Sequence, residues 1–357
     1  MKAIHQFIAG ASVGDAITNY AFEIKEIINK WGLQSKIFCP YQHTAPELRG
    51  KIIPLEKAQE YTNANETSVI YHFSIGSPAT ETFKNINACK ILCYHNITPE
   101  KYFRSISDQR ARILLEGREE LKKLSNIPDI TLAVSQFNAN ELKEYGFKNT
   151  QVIPLTLNES YLKTKPSKKI IKMLEGNFTD FLFVGRVSPN KKLEDVIKVF
   201  YYYKNTINKS SRLFFAGSYV GMEKYLTYLK SFCSELKLSD VYFTGHISLE
   251  ELLGYYQSST LFLCMSEHEG VCIPLIESMY FKKPVFALSR AAIPETMGNA
   301  GILIHSKNFP KIAELIDIII NDKNILNKII NAQLERTKYF TKENLENKLK
   351  KILKIPK

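Results

Sequence analysis

Short apolar runs of strand length alternate along this chain with longer stretches whose apolar residues recur at helical spacing. Residues 3–8 form the first run, and a loop of small residues follows at 9–15. Beyond it Ile17, Tyr20, Ala21, Ile24, Ile27, Ile28 and Trp31 share one face of a helix, and Gly32 suits its C-terminal stop. Residues 35–39, 69–73, 90–95 and 130–134 read as further strands, several of them separated by helical stretches. The second half repeats the alternation at 181–184, 212–216, 241–243, 260–265 and 284–288. Strands that alternate with helices imply mainly parallel sheets, so the expected fold class is α/β.

At 357 residues the chain is long for one core, and two domains are expected. Lys163, Lys165, Lys168, Lys169 and Lys172 surround Pro166, which reads as a surface linker. The expected division is a first domain over 1–160, a linker over 161–178, a second domain over 179–340, and a C-terminal helix over 341–357 that can cross back to the first domain. In that tail Leu345, Leu349, Ile352 and Leu353 form one stripe opposite lysines.

Hydrophobic content of 45% is ample for globular packing, and no run approaches the roughly 18 apolar residues of a membrane span. The N-terminus does not read as a signal peptide, since its apolar stretch is short and Asp15 follows soon. The six cysteines show no C-x-x-C spacing and read as buried thiols in a reducing cytoplasm. A formal charge of +12 points to an anionic partner, whether nucleic acid, a membrane surface or a phosphorylated substrate.

The densest chemistry lies in Ser266-Glu267-His268-Glu269-Gly270-Val271-Cys272-Ile273-Pro274-Leu275-Ile276-Glu277. Strands on either side make this a strand, loop, helix, strand unit of a parallel sheet. Pro274 suits the first helical position, which puts Gly270, Val271, Cys272 and Ile273 at the helix mouth, where backbone N–H groups attract anions. Glu269 lies just before the mouth and Glu277 in the expected first turn. An anion-attracting helix start between two carboxylates suits a ligand that carries both phosphate and hydroxyls, such as a nucleotide sugar.

Glu269 and Glu277 are seven residues apart, and Ser-Glu-His-Glu-Gly-x-x-x-Pro-Leu-x-Glu-Ser resembles the E-x7-E motif of retaining glycosyltransferases of family 4. That resemblance implies the GT-B fold: two Rossmann-like domains facing across a cleft, acceptor bound by the first and donor by the second. It extends to Gly185-Arg186 followed by Lys191, where the family's Arg and Lys hold the donor diphosphate. Arg can do so bidentately and Lys as a point charge, whereas the plain alternative is a solvated basic loop. Gly217 and Gly245 match the corners where the family holds the base. Gly14 matches the first loop near the donor phosphates, although that loop is not G-x-G-x-x-G and Asp15 also reads as a helix N-cap. His95, at the end of its strand, matches a His near the transferred sugar; the alternative is a structural His packed under a loop. His72 is left without a role. Ala291-Ala292 stands where many members carry a Gly pair.

The resemblance implies an enzyme that moves a hexosyl unit from a UDP- or GDP-linked sugar to a hydroxyl of a glycan or lipid-linked acceptor, in surface polysaccharide or lipopolysaccharide assembly. It would act with retention, in the cytoplasm or at the inner face of the cytoplasmic membrane. The expected catalytic set is His95, Arg186, Lys191 and Glu269. Donor binding is assigned to Gly14, Gly185, Arg186, Lys191, Gly217, Gly245, Glu269, Gly270, Val271, Cys272 and Glu277. No D-x-D occurs in the chain, so no metal and no cofactor are expected. The partners expected are the nucleotide sugar, the acceptor and an anionic membrane surface, while nucleic acid has only the net charge behind it. A nucleotide-sugar epimerase of related fold and a non-catalytic sugar-nucleotide-binding partner subunit are the alternatives. A glycan phosphorylase shares the architecture, but this chain is short for one and shows no cofactor-lysine motif.

Overall fold

A computed structural model describes residues 2–62 and 66–354. The chain divides into two compact units. Unit 1 comprises Met1–Arg104, Asp108–Thr156 and Lys342–Lys357, and unit 2 comprises Ser105–Ser107 and Leu157–Thr341.

Unit 1 is built on seven strands: β1 (Ala3–Ile8), β2 (Ile37–Cys39), β3 (Ile53–Pro54), β4 (Thr67–Phe73), β5 (Cys89–Tyr94), β6 (Ile130–Ala133) and β7 (Gln151–Val152). They pair in parallel in the order β3-β2-β1-β4-β5-β6-β7. β1 and β4 are buried along their whole length, as strands covered on both faces must be. Ile53–Pro54 lacks the length of a recognisable apolar run, and its proline is tolerated because the strand lies at the edge. The helix Ala16–Lys30 turns Tyr20, Ala21, Ile24, Ile27 and Ile28 inward, and Asp15 caps it by accepting from the Thr18 N–H at 2.8 Å.

Unit 2 has six parallel strands, β8 (Thr179–Val184), β9 (Ser211–Ala216), β10 (Val241–Gly245), β11 (Leu261–Cys264), β12 (Val285–Leu288) and β13 (Ile302–Ile304). Their order is β10-β9-β8-β11-β12-β13. In each sheet the order reverses once, between β1 and β4 and between β8 and β11. Loops leaving the carboxyl ends on either side of such a reversal diverge and leave a crevice for ligands.

One sequence expectation needs correction. The stretch 161–178 is no free linker. Its helix Lys168–Leu174 buries Ile170 and Leu174 in the core of unit 2, and the Ser167 N–H donates to Glu250 O at 2.7 Å. Ile170 sits so close to the helix Leu249–Ser258 that a Cβ on Gly254 would come within 2.8 Å of it. The lysines that suggested a linker, Lys163, Lys165, Lys168, Lys169 and Lys172, are the exposed positions around this apolar anchor. The C-terminal helix, expected to be able to cross back to the first domain, is part of unit 1. Leu345, Leu349 and Leu353 of the helix Lys342–Leu353 are buried within unit 1, so its apolar stripe is used in packing. Glu346 fixes it there, accepting from Lys30 at 3.0 Å and from the Trp31 indole at 3.1 Å. Lys357 lies outside the described residues.

Candidate active site

The E-x7-E segment leaves β11, next to the order reversal of unit 2. Cys272 caps the helix Ile273–Tyr280 in a left-handed conformation, φ 69°. The helix therefore starts at Ile273, with Pro274 second rather than first, and Glu277 falls in its second turn, not its first. Proline at either position is missing an N–H that has no intrahelical partner anyway.

Glu269 is 7% exposed. Lys191 Nζ donates to both of its oxygens, at 2.5 and 2.6 Å. Burial works against the ammonium, but the Glu269 charge and hydrogen bonds, with the nearby Cys272 and Cys264, outweigh it and hold Lys191 above its ordinary value. The two residues expected to hold diphosphate and sugar are thus already one ion pair. Asn190, which sequence reasoning passed over, staples the two loops together. Its Nδ2 donates to His268 O at 3.0 Å and its carbonyl accepts from the Glu267 N–H at 2.9 Å.

Glu277 accepts from the Tyr256 hydroxyl at 2.6 Å. Burial pushes its carboxyl up to about 7, although that hydrogen bond pulls the other way. Tyr256 was invisible as a site residue because it lies 21 positions away on a separate helix. Val271 O accepts from the Thr296 hydroxyl, and Glu269 O from the Ala292 N–H at 3.3 Å. Ala291 has φ 50°. A left-handed residue there explains why glycine would be favoured, and alanine holds the position under strain.

The glycine corners have a steric basis. Gly185, Gly217 and Gly245 end the adjacent strands β8, β9 and β10, with φ of 147°, 152° and 73°. A Cβ on Gly217 would come within 2.1 Å of Gly185 O, so only glycine fits. Arg186 follows Gly185 and is exposed. The buried atoms of Cys264, Glu269 and Cys272 lie within 4.8 Å of one another, a set that could accommodate a soft metal ion.

In unit 1 His95 directly follows β5, and its N–H donates to Phe73 O at 2.8 Å. His72 on β4 approaches it, with Nδ1 2.9 Å from His95 Nε2, and His72 Nε2 lies 2.9 Å from Gln6 Oε1. Neither Gln6 nor His72 carried a sequence signal, since only strand pairing brings positions 6, 72 and 95 side by side. The loop after His95 is held from beneath: Ile97 N–H donates to the Tyr94 hydroxyl at 3.0 Å, Arg118 to Ile97 O at 2.5 Å, and Tyr94 to Glu141 at 2.5 Å. Gly14 is exposed, with φ 78°, one residue before the Asp15 cap.

Comparison with known proteins adds to this geometry. The sequence profile of the family described as glycosyl transferases group 1 matches residues 165–336, which include Arg186, Lys191, Glu269 and Glu277. The chain is 23% identical over 240 residues to an uncharacterized glycosyltransferase of Methanocaldococcus jannaschii, a match spanning 67% of this chain and 63% of that protein's length. A glycosyltransferase from Rickettsia africae has a similar fold, with a TM-score of 0.76 at 19% identity over 99% of this chain and 100% of that one. So does HepE of Anabaena, solved in complex with UDP and glucose, with a TM-score of 0.76 at 15% identity over the full length of both. The profile match covers just under half of the chain, and the solved structures show that the chain has the GT-B fold. Its two parallel, Rossmann-like α/β units match the fold class expected from the sequence. Among the described residues no helix is long and apolar enough to cross a membrane.

Proposed function

We propose that the protein is a retaining glycosyltransferase of family 4 that transfers a hexosyl unit from a UDP- or GDP-sugar to a hydroxyl of a glycan or lipid-linked acceptor, in surface polysaccharide or lipopolysaccharide assembly. The observation that carries this reading is the paired Lys191 and Glu269, with Glu277 on the following helix, beside the order reversal of unit 2. Unit 2 binds the donor and unit 1 the acceptor. Arg186 and Lys191 neutralise the departing diphosphate, where most of the transition-state charge develops. An ammonium has three N–H groups, so Lys191 can meet a phosphate while keeping Glu269. Glu269 and the backbone at Gly270, Val271 and Cys272 hold sugar hydroxyls, Glu277 holds the ribose, and Gly185, Gly217 and Gly245 let the chain approach the nucleotide. Gly14 approaches the donor phosphates, and His95 faces the transferred sugar.

No enzymic nucleophile stands out among these groups, which fits a same-face reaction in which a donor phosphate oxygen assists the acceptor hydroxyl. With two cations and a helix start supplying positive charge, turnover requires neither metal nor cofactor. The enzyme works in the cytoplasm or at the inner membrane surface.

Thermal shift with UDP-, GDP- and dTDP-sugars identifies the donor, because a bound ligand raises apparent stability. The anomeric configuration of the product then tests retention. Inversion, or activity abolished by chelator and restored by Mg²⁺ or Mn²⁺, contradicts the corresponding part of the proposal. An epimerised donor without transfer or hydrolysis points to an epimerase instead.

A further inference from the structure

The hydrogen-bond chain from Gln6 to His95 fixes the proton positions in unit 1. Gln6 Nε2 lies 2.9 Å from Ala21 O and 3.3 Å from Ser35 Oγ. Turning the amide over would set its oxygen against the Ala21 carbonyl, two acceptors facing each other, so Nε2 points there and Oε1 faces His72. Oε1 only accepts, so His72 Nε2 carries a proton. His72 is fully buried, and burial followed by the neighbouring His95 holds it well below its ordinary value, so it is neutral. The other groups packed on the two imidazoles are the Tyr20 ring, edge-on at 5.9 and 5.7 Å, and the Cys93 thiol, whose sulfur lies within 4.8 Å of a ring nitrogen of each. Burial holds both of these neutral, raising the phenol and thiol well above their ordinary values. A neutral His72 protonated on Nε2 has a bare Nδ1, so the 2.9 Å contact to His95 requires the proton on His95 Nε2. What remains on His95 is Nδ1 with its lone pair, buried and, among the described residues, without a hydrogen-bond partner. Buried polar atoms in native proteins nearly always have a partner, and functional sites are a principal exception.

We propose that Gln6 and His72 are positioning residues that lock His95 in the Nε2–H tautomer, so that Nδ1 is an acceptor matched to a hydroxyl of the donor sugar. The inference rests on the donor-sugar reading for its ligand but not for its tautomer. His95 accordingly selects a group that donates a hydrogen bond. It does not serve as a proton donor to the leaving group, because its one N–H is committed inward.

Long-range proton–nitrogen correlation spectra of the full chain, with isotope-labelled histidine, read each ring nitrogen directly. The expected result is a protonated Nε2 and bare Nδ1 on both His72 and His95. A Gln6→Met variant removes the amide at nearly constant shape and is expected to shift both residues toward mixed tautomers. Binding of UDP-glucose, GDP-mannose and dTDP-glucose and their monodeoxy analogues supplies the second readout. The wild type is expected to penalise loss of one hydroxyl by about tenfold, a penalty that Gln6→Met erases. Protonated Nδ1 on His95, or unchanged spectra in a folded Gln6→Met variant, overturns the proposal. If Gln6→Met does not fold, the wild-type spectrum alone decides the tautomer. If none of the three sugar nucleotides binds, the donor reading for these sugars fails while the spectra still decide the relay.

Discussion

The carboxyl edges of the two sheets are equipped with different chemistry. In unit 1 the groups next to β1, β4 and β5 are an amide and two imidazoles joined in a chain that carries no net charge. In unit 2 the corresponding edge holds Arg186, the buried Lys191–Glu269 pair and Glu277. An uncharged relay is inexpensive to bury and reads hydrogen-bond polarity. A charged pair is costly to bury unless matched, and it suits a ligand that brings charge of its own. The contrast also extends to how each edge depends on its parts: the relay passes a change at Gln6 along to His95, whereas the ion pair leaves a buried charge behind when either partner is lost.

The largest effect is therefore expected at the ion pair. Lys191→Ala should lower transfer by roughly 100-fold or more, as loss of a group that stabilises transition-state charge does. It should also destabilise unit 2 by about 3 kcal/mol, because Glu269 is left buried and unpaired. Glu269→Ala should do the same in reverse. The double variant Lys191→Met with Glu269→Leu should recover much of the stability while remaining inactive. Calorimetric unfolding alongside a turnover assay separates the two effects; a double variant as unstable as the singles would mean that the pair holds the fold together in some other way.

Acid should act on the two edges in opposite directions. Glu277 rises from an ordinary 4.5 to about 7. Between those values the folded protein retains a proton that the unfolded chain releases, so stability falls as pH rises through the window and stays lower above it. Glu277→Gln, which can still accept from Tyr256, should gain ~2 kcal/mol above about pH 8 and nothing near about pH 4.5. His95 is pushed down from 6.5 to about 3 by burial. There the unfolded chain takes up a proton that the folded one refuses, so stability is lost as pH falls below the ordinary histidine value. Hydrogen exchange followed sheet by sheet should show the β5 region opening at low pH and the helix Ile273–Tyr280 tightening. The same pH response in both regions would break the contrast.

A smaller effect sharpens the picture of unit 2. Ala291 occupies a left-handed conformation that costs an L-residue roughly 1–2 kcal/mol, partly offset in glycine by its greater unfolded-state freedom. Ala291→Gly should raise the melting temperature of unit 2, corresponding to ~0.5–1 kcal/mol, and leave unit 1 unchanged. A lowered melting temperature would show that the Ala291 methyl packs usefully enough to outweigh the strain.

The two edges also differ in how far the sequence discloses them. In unit 2 the signal is local. Glu269, Gly270, Pro274 and Glu277 lie within one loop and helix, and Arg186 and Lys191 within one turn, so spacing alone groups them. In unit 1 the relay is assembled from three strands by the pairing of β1 with β4 and of β4 with β5, and a lone Gln6 or His72 inside an apolar run looks like core. Tyr256 and Asn190 were missed for the same reason, as through-space partners. The linker expectation over 161–178 failed differently. The lysines dominated the reading, while Ile170 and Leu174, four positions apart, supplied the helical anchor. Strands were legible because burial on both faces leaves continuous apolar runs; the short edge strand Ile53–Pro54 has no such run.

The smallest expected effect concerns the net charge, and here too the units can be compared. The tail helix has spent its apolar stripe on unit 1, so insertion of that face into a bilayer is no longer available to it. What remains for an anionic surface is charge alone. In unit 2 Lys165, Lys168, Lys169 and Lys172 are exposed together around one short helix, while in the tail Lys350 is already engaged by Glu346 at 3.0 Å. Each lysine near an anionic leaflet contributes about 1 kcal/mol, and screening removes that contribution beyond a length of about 8 Å at physiological salt. Sedimentation with anionic vesicles at low salt should therefore retain the protein weakly and release it as salt is added. Charge reversal at Lys165, Lys168, Lys169 and Lys172 should reduce binding more than reversal at Lys350, Lys351 and Lys354. Equal partitioning to neutral vesicles, or binding that survives high salt, would mean that charge does not direct the attachment. Equal sensitivity of the two lysine sets would remove the distinction between the units at the membrane.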